Sequence, residues 1–158
     1  MLAPMTPGVE TKMRNEIFAA GLALALAAPV TASAEDAVTY PFNGGFEDAA
    51  FAVESAILDR GLVIDYVSHV GDMLNRTGLD VGSDVMLFEA ADIFVFCSAT
   101  VSREVMEADP TNIAFCPYGI FVAEQDGAVA VGYRTYPEGE MQKVQTLLDE
   151  IVRDAIAE

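Results

Sequence analysis

Positively charged residues are scarce in this chain, and their scarcity excludes one class of function. The 158 residues include 8 Lys or Arg against 25 Asp or Glu, a formal net charge of −17. Nucleic acids and anionic membrane surfaces are bound through basic patches. The cations outside the N-terminal segment are scattered: Arg60, Arg76, Arg103, Arg134, Lys143 and Arg153. We therefore expect an acidic protein that binds neither surface; the charge favours solubility, with attraction of a cationic partner as the alternative.

Histidine and cysteine, which build many catalytic and metal sites, are also few. The chain has one histidine and two cysteines. It lacks a Gly-rich phosphate loop, a Gly-x-Ser-x-Gly elbow, an EF-hand pattern and a Cys-x-x-Cys-His haem motif. One histidine and two distant cysteines match no standard zinc spacing. These absences favour a binding or structural module over an enzyme, and the sequence identifies no cofactor.

The N-terminal segment has the pattern of an export signal. Lys12 and Arg14 precede an apolar run at 17–28, and the small residues Ala32-Ser33-Ala34 follow it. This pattern predicts a signal peptide over residues 1–34, cleaved after Ala34.

A membrane anchor is the alternative for this segment. The apolar run is broken by Pro29 and is shorter than the roughly 20 residues that span a bilayer. Translation from Met13 would leave a compact positively charged start. We therefore expect a periplasmic or secreted protein with residues 35–158 as one domain and no membrane association after cleavage.

Apolar periodicity predicts alternating strands and helices in the rest of the chain. Strands are predicted at 37–42, 62–68, 93–96, 118–124 and 128–134, and helices at 46–60, 73–78, 101–108 and 141–155. Ser98 or Thr100 is expected to cap the third helix. Asp126-Gly127 predicts a two-residue hairpin. A short turn near Ser83 is expected to carry Met86, Leu87 and Phe88 inward.

The two cysteines lie at predicted strand ends. Cys97 closes the central strand, and Cys116 precedes the next one, 19 positions later. Two cysteines in an exported protein usually form a structural disulfide. A crosslink over this span contributes roughly 3 kcal/mol in the chain-entropy model. A Cys97–Cys116 disulfide is therefore the leading interpretation.

Reactive thiols are the alternative. Cys97 comes just before a predicted helix, where the helix dipole lowers a thiol pKa and favours thiolate. A thiol/disulfide redox function would use Cys97 and Cys116, although the chain lacks a Cys-x-x-Cys pair. Two buried, unreactive thiols are a further possibility.

A small-molecule, metal or haem site is the third interpretation. The soft or borderline ligands available are His69, Cys97, Cys116, Met73 and Met106. We expect His69 and the two cysteines to meet at neighbouring strand ends, with Tyr118 beside them. His69 could instead be a hydrogen-bonded structural histidine.

The order and spacing of several short motifs resemble a known family. The motifs are Gly45-Phe46-Glu47, Gly61-Leu62-Val63, His69, Ile93-Phe94-Val95-Phe96, Val105 to Pro110, Val122 to Glu124 before Asp126-Gly127, Tyr133 and Pro137. Over residues 36–137 this frame resembles the DUF302 family, which has no established biochemical function. The resemblance implies an α+β two-layer sandwich, with helices packed on a largely antiparallel sheet in the order β-α-β-(short helices)-β-α-β-β-α. It also implies a homodimer.

The cysteines mark a departure from the usual family pattern. Many members look like Phe-Gly-Asn-Pro after the central strand, whereas this chain has Phe96-Cys97-Ser98-Ala99. It is similar to an exported, two-cysteine subgroup. The sequence thus favours an exported binding or structural module, with a thiol redox protein and a purely structural homodimer as alternatives.

Overall fold

The computed structural model describes residues 37–157, so the expected signal peptide lies outside the described residues. The strands are β1 (Ala37–Phe42), β2 (Val63–Ser68), β3 (Ala90–Cys97), β4 (Tyr118–Gln125) and β5 (Ala128–Arg134). The helices are α1 (Phe46–Asp59), α2 (Val70–Thr77), α3 (Ala99–Ala108) and α4 (Gln142–Ala157), with 3-10 helices at Leu79–Val81 and Pro110–Phe115.

The strands form one sheet in which every neighbouring pair is antiparallel. Its order is β1-β5-β4-β3-β2. The α+β class and the antiparallel sheet predicted from the sequence are confirmed. Strand β4 is at the centre of the sheet, whereas β3, expected to be the central strand, lies next to the edge strand β2. Because β3 pairs with both β2 and β4, the ends of these three strands determine which side chains can meet.

Helices α1 and α4 cover one face of the sheet. Their apolar stripes pack together with alternate strand residues in one core, as expected for amphipathic elements. The largest fully buried core side chains include Tyr118, Tyr133, Phe96, Ile57, Ile120 and Leu148. Because side chains alternate along a strand, the residues between these core positions point to the opposite face.

The opposite face is shaped by close packing across strands. Gly132 in β5 pairs with Phe121 in β4. A Cβ at Gly132 would collide with the carbonyl oxygen of Val38 and with the Phe121 ring. Glycine is therefore required there because the ring and the neighbouring strand approach the backbone too closely for any side chain.

Local sequence signals predicted several boundaries of helices and strands correctly. Asp126 and Gly127 both have positive φ, at 52° and 72°, as a primed hairpin turn demands. Ser98 Oγ accepts the Val101 N–H at 3.3 Å and so caps α3. Gly61, with φ 71°, follows the end of α1.

The segment between α2 and β3 differs from the sequence interpretation. Helix α2 begins at Val70 rather than Met73, and the next turn lies at Leu79–Val81 rather than near Ser83. Met86 and Leu87, expected to point inward, are exposed. Their apolar character misled the interpretation because hydrophobicity alone does not say whether a loop side chain finds a partner.

No helix within residues 37–157 is both long and apolar enough to cross a membrane.

Candidate functional site

The antiparallel pairing of β3 with β4 brings the two cysteines together. Phe96 pairs with Tyr118, so Cys97, at the end of β3, lies beside the Cys116-Pro117 segment that leads into β4. The Cys116–Pro117 peptide bond is cis. The two Sγ atoms are 2.9 Å apart, and both residues are free thiols in the structure. The sequence interpretation that these strand ends are neighbours is therefore correct.

The environment of Cys97 disfavours its thiolate. Its pKa is raised from 9.0 to about 11, first by burial and then by the hydrogen bond and the charge interaction with Cys116. The backbone hydrogen bond from Tyr118 acts in the opposite direction and is outweighed. Burial thus opposes the effect that the N-terminus of α3 was expected to have on the Cys97 thiol.

Aromatic side chains pack next to the cysteines on the core side. Tyr118 Oη and Ser102 Oγ share a hydrogen bond of 2.8 Å. The Tyr118 and Tyr136 rings meet edge to face at 6.2 Å between centroids. The buried Tyr136 hydroxyl has no hydrogen-bond partner among the described residues, and burial raises its pKa. Burial likewise raises the pKa of Tyr118.

Arg134 lies at the same end of the sheet. Its guanidinium carbon is 5.4 Å from the centroid of the Phe115 ring and 5.9 Å from that of Tyr136. These are cation–π distances. The two ring contacts do not use the guanidinium N–H donors. Among residues 37–157 these donors have no acceptor, so they can bind one on a ligand.

A cavity of about 290 Å³ opens on the sheet face opposite α1 and α4, next to the cysteine pair. Its lining consists of aromatic and aliphatic side chains, backbone and one cation: Tyr66, Ile93, Val95, Pro117, Tyr118, Gly119, Phe121 and Arg134. Apart from Tyr118, sequence reasoning did not select these residues. The alternation of strand side chains could have placed Ile93, Val95 and Phe121 on one face, but it could not reveal the cavity.

The expected meeting of His69 with the cysteines does not occur. Cys97 pairs with Val63 at the start of β2, whereas His69 follows Ser68 at its other end. The five residue steps between Val63 and Ser68 span roughly 16 Å. The prediction was wrong because the sequence shows that His69 follows a strand but does not show at which end of the sheet that strand stops.

His69 instead forms a contact of its own. Its Nδ1 lies 2.8 Å from Asp92 Oδ1, and its ring is largely exposed. The hydrogen bond and charge of Asp92 raise the pKa of His69. This geometry agrees with the alternative interpretation of a hydrogen-bonded structural histidine.

The candidate metal ligands are not assembled into one site. His69 is remote from Cys97 and Cys116, and Met106 packs against the core from α3. Residues 37–157 contain no group of three or more His, Cys, Asp or Glu side chains placed to hold a metal ion.

A second polar cluster, not foreseen from the sequence, joins β1, β5 and α4. Asp149 Oδ1 accepts hydrogen bonds from the hydroxyls of Tyr40, at 2.5 Å, and Tyr133, at 2.8 Å. Arg153 donates to Asp149 Oδ2 at 2.6 Å and to the Tyr40 hydroxyl at 2.8 Å. Every group in this cluster has a partner inside the chain, which makes it a structural network.

The chain is similar to a known protein family in sequence and to a solved structure in fold. The family described as a domain of unknown function, DUF302, matches residues 37–157. The chain belongs to the DUF302 family. The fold of this DUF302 domain is similar to that in the crystal structure of uncharacterized conserved protein DUF302 from Bacillus stearothermophilus, with 17% identity and a TM-score of 0.53. That similarity covers 77% of this chain and 88% of the other. No curated protein matches the chain with significant sequence similarity.

Proposed function

We propose that this DUF302 protein is an exported module that binds a small organic molecule in the cavity beside its cysteine pair. The observation that carries the proposal is the cavity itself, which combines apolar walls with one cation. Small-molecule sites are typically concave and apolar with few polar groups, and about 300 Å³ is the lower end of their volume range. The ligand is therefore small.

We further propose that Cys97 and Cys116 form a disulfide after export, by thiol–disulfide exchange in which an oxidised dithiol protein of the periplasm takes up the two electrons and the two protons. The support is the 2.9 Å separation of their sulfurs, since only a small shift is needed to reach a bond length of about 2.05 Å. Cys116 immediately precedes Pro117 and Tyr118, which line the cavity. The disulfide would therefore fix one cavity wall to β3.

The test is purification of the full chain from the periplasm and, separately, from the cytoplasm of a bacterial host. For periplasmic protein we expect an N-terminus at Glu35 and an intact mass lower than that of the reduced chain by two hydrogen atoms. Native mass spectrometry should show a retained small molecule, and an absorption spectrum checks for haem. Apo protein that also fails to bind any added apolar probe would contradict the binding proposal.

A thiol/disulfide redox protein is the second candidate function. The proximity of the two sulfurs favours it, because such a pair can open and close without a change of fold. The raised pKa of Cys97 opposes it, since thiolate is the attacking species in exchange. Rapid exchange of the oxidised protein with glutathione at pH 7 would favour the redox function over a structural disulfide.

A homodimer is also proposed, with the segment between α2 and β3 as its interface. Leu79, Val81, Val85 and Met86 lie there, each between 64% and 81% exposed. A cluster of exposed apolar side chains of this kind is typical of interaction sites. It shares no residue with the cavity, so the two proposals can be tested separately.

Analytical ultracentrifugation tests the dimer. We expect a dimer for the wild type and a monomer for the Leu79→Asp, Met86→Asp double variant. Phe51→Asp on α1 is the control, because Phe51 is equally exposed but lies outside the segment. A wild-type monomer at all concentrations would rule out this interface.

A further inference from the structure

The charge of the cavity lining is unusual for this chain. The sequence has 25 acidic residues, yet none of those within residues 37–157 lines the cavity, and Arg134 is the only charged group among its described lining residues. A site lined in this way offers positive potential to a bound group, although the protein as a whole is strongly negative.

Arg134 differs from most other cations of the described residues in its lack of an ion-pair partner. Arg60, Arg103, Lys143 and Arg153 each contact one or two carboxylates at 2.6 to 3.2 Å. Among Lys and Arg side chains of residues 37–157, only Arg76 and Arg134 have no carboxylate within ion-pair distance. Arg76 lies on α2 away from the cavity, whereas Arg134 is positioned at the cavity by Phe115 and Tyr136.

The net charge of −17 opposes the approach of any anion. This repulsion comes from carboxylates spread over the whole surface, and it is screened beyond about 8 Å at physiological ionic strength. Within that distance a guanidinium can bind a carboxylate through two parallel hydrogen bonds. The local interaction with Arg134 therefore outweighs the distant charges at this position.

We propose that the ligand of this cavity is a small amphipathic carboxylate, with an apolar body against Val95, Phe121 and Tyr66 and its carboxylate bound by Arg134. This inference rests on the proposed binding function and adds the chemical class of the ligand. The apolar cavity walls would contact the apolar body of the ligand, and the Arg134 guanidinium would bind its carboxylate.

The experiment compares two probes with the same body and different charge, 1-naphthoate and neutral 1-naphthalenemethanol, by fluorescence titration of the full mature chain at pH 7.5. We expect wild-type protein to bind 1-naphthoate about tenfold more tightly than the alcohol. Arg134→Gln should remove this difference by weakening 1-naphthoate alone. Arg134→Lys should restore part of it, because the charge returns without the bidentate geometry.

Arg76→Gln is the matched control, since it removes an equally unpaired arginine outside the cavity, and it should change neither affinity. Equal wild-type affinity for both probes would overturn the carboxylate class while leaving the binding function intact. Failure of both probes to bind would overturn both proposals. A dimer that excludes both probes and dissociates on Phe121→Asp would assign this face to a second copy of the chain and likewise overturn the inference.

Discussion

At Cys97, burial is the main effect that disfavours the thiolate. The residue lies just before α3, a position that by itself favours a thiolate. Its partly desolvated sulfur and its contact with Cys116 instead raise the pKa from 9.0 to about 11. A thiol with such a pKa suits a structural disulfide better than a nucleophile.

The first prediction concerns this thiol. In the reduced Cys116→Ser variant, Cys97 should react with iodoacetamide far more slowly at pH 7 than the same cysteine in urea-unfolded chain. Burial, the largest cause of the raised pKa, remains in this variant. The rate should therefore keep increasing with pH beyond about 10, where an ordinary thiol is almost fully ionised and its rate levels off. Both rates are measured by stopping the alkylation at timed intervals and determining the modified fraction by mass spectrometry. A fast folded-state reaction that levels off below pH 8 would show an activated thiol instead.

The second prediction concerns Asp149. Its partial burial acts to raise its pKa, but the hydrogen bonds from Tyr40, Arg153 and Tyr133 outweigh that effect, and the net shift is downward. Asp149→Asn should lower the free energy of unfolding at pH 7 by about 1–2 kcal/mol, since a charged acceptor is lost. Urea titrations measure this.

The pH dependence of the Asp149 effect has a definite sign. A carboxyl whose pKa is lower in the folded state stabilises the fold above its unfolded pKa, and this stabilisation is lost as the pH falls through the folded value. The difference between wild type and Asp149→Asn should therefore shrink below pH 3.8, the ordinary pKa of the group. Asp126→Asn, in the exposed hairpin turn, serves as the control carboxylate.

At the scale of elements, β5 depends on the absence of a side chain at Gly132. Gly132→Ala should destabilise the protein by about 2 kcal/mol or more, because the new methyl group meets the Val38 carbonyl oxygen of β1 and the Phe121 ring. Gly119→Ala in β4 is the matched control. Its Cβ would lie 3.2 Å from Ile93 Cγ2, a side-chain methyl that can shift, so the loss should be smaller. Thermal unfolding followed by circular dichroism compares the two, and equal losses would contradict this account.

At the scale of the whole molecule, the two cysteines lie at the facing ends of β3 and β4, which are separated along the chain by helix α3. If the proposed disulfide forms, oxidised wild-type protein should be more stable than Cys97→Ser, Cys116→Ser by roughly 3 kcal/mol, mainly because the crosslink restricts the unfolded chain. Dithiothreitol should remove most of this advantage from the wild type and leave the double variant unchanged. Guanidinium titrations measure the difference, and equal stability before reduction would indicate that the thiols remain unpaired.

The sequence by itself determined the parts of this protein that depend on local patterns. Apolar periodicity located all five strands and the helices α1, α3 and α4, because burial of one face imposes a repeat of two or 3.6 residues. Asp126-Gly127 fixed the hairpin through its backbone conformation, and Ser98 capped α3. The order of short motifs indicated the DUF302 family and the α+β class.

Only the tertiary structure decided which of these residues meet. Because β2, β3 and β4 are antiparallel neighbours, Cys97 lies beside Cys116, and His69 lies at the other end of the sheet. The cavity with Arg134 likewise arises from four strands and the loop residue Pro117, which lie far apart in the sequence. A linear pattern records which face a side chain takes within its own strand, but neighbours across strands are set by sheet order and register, which depend on the packing of the whole chain.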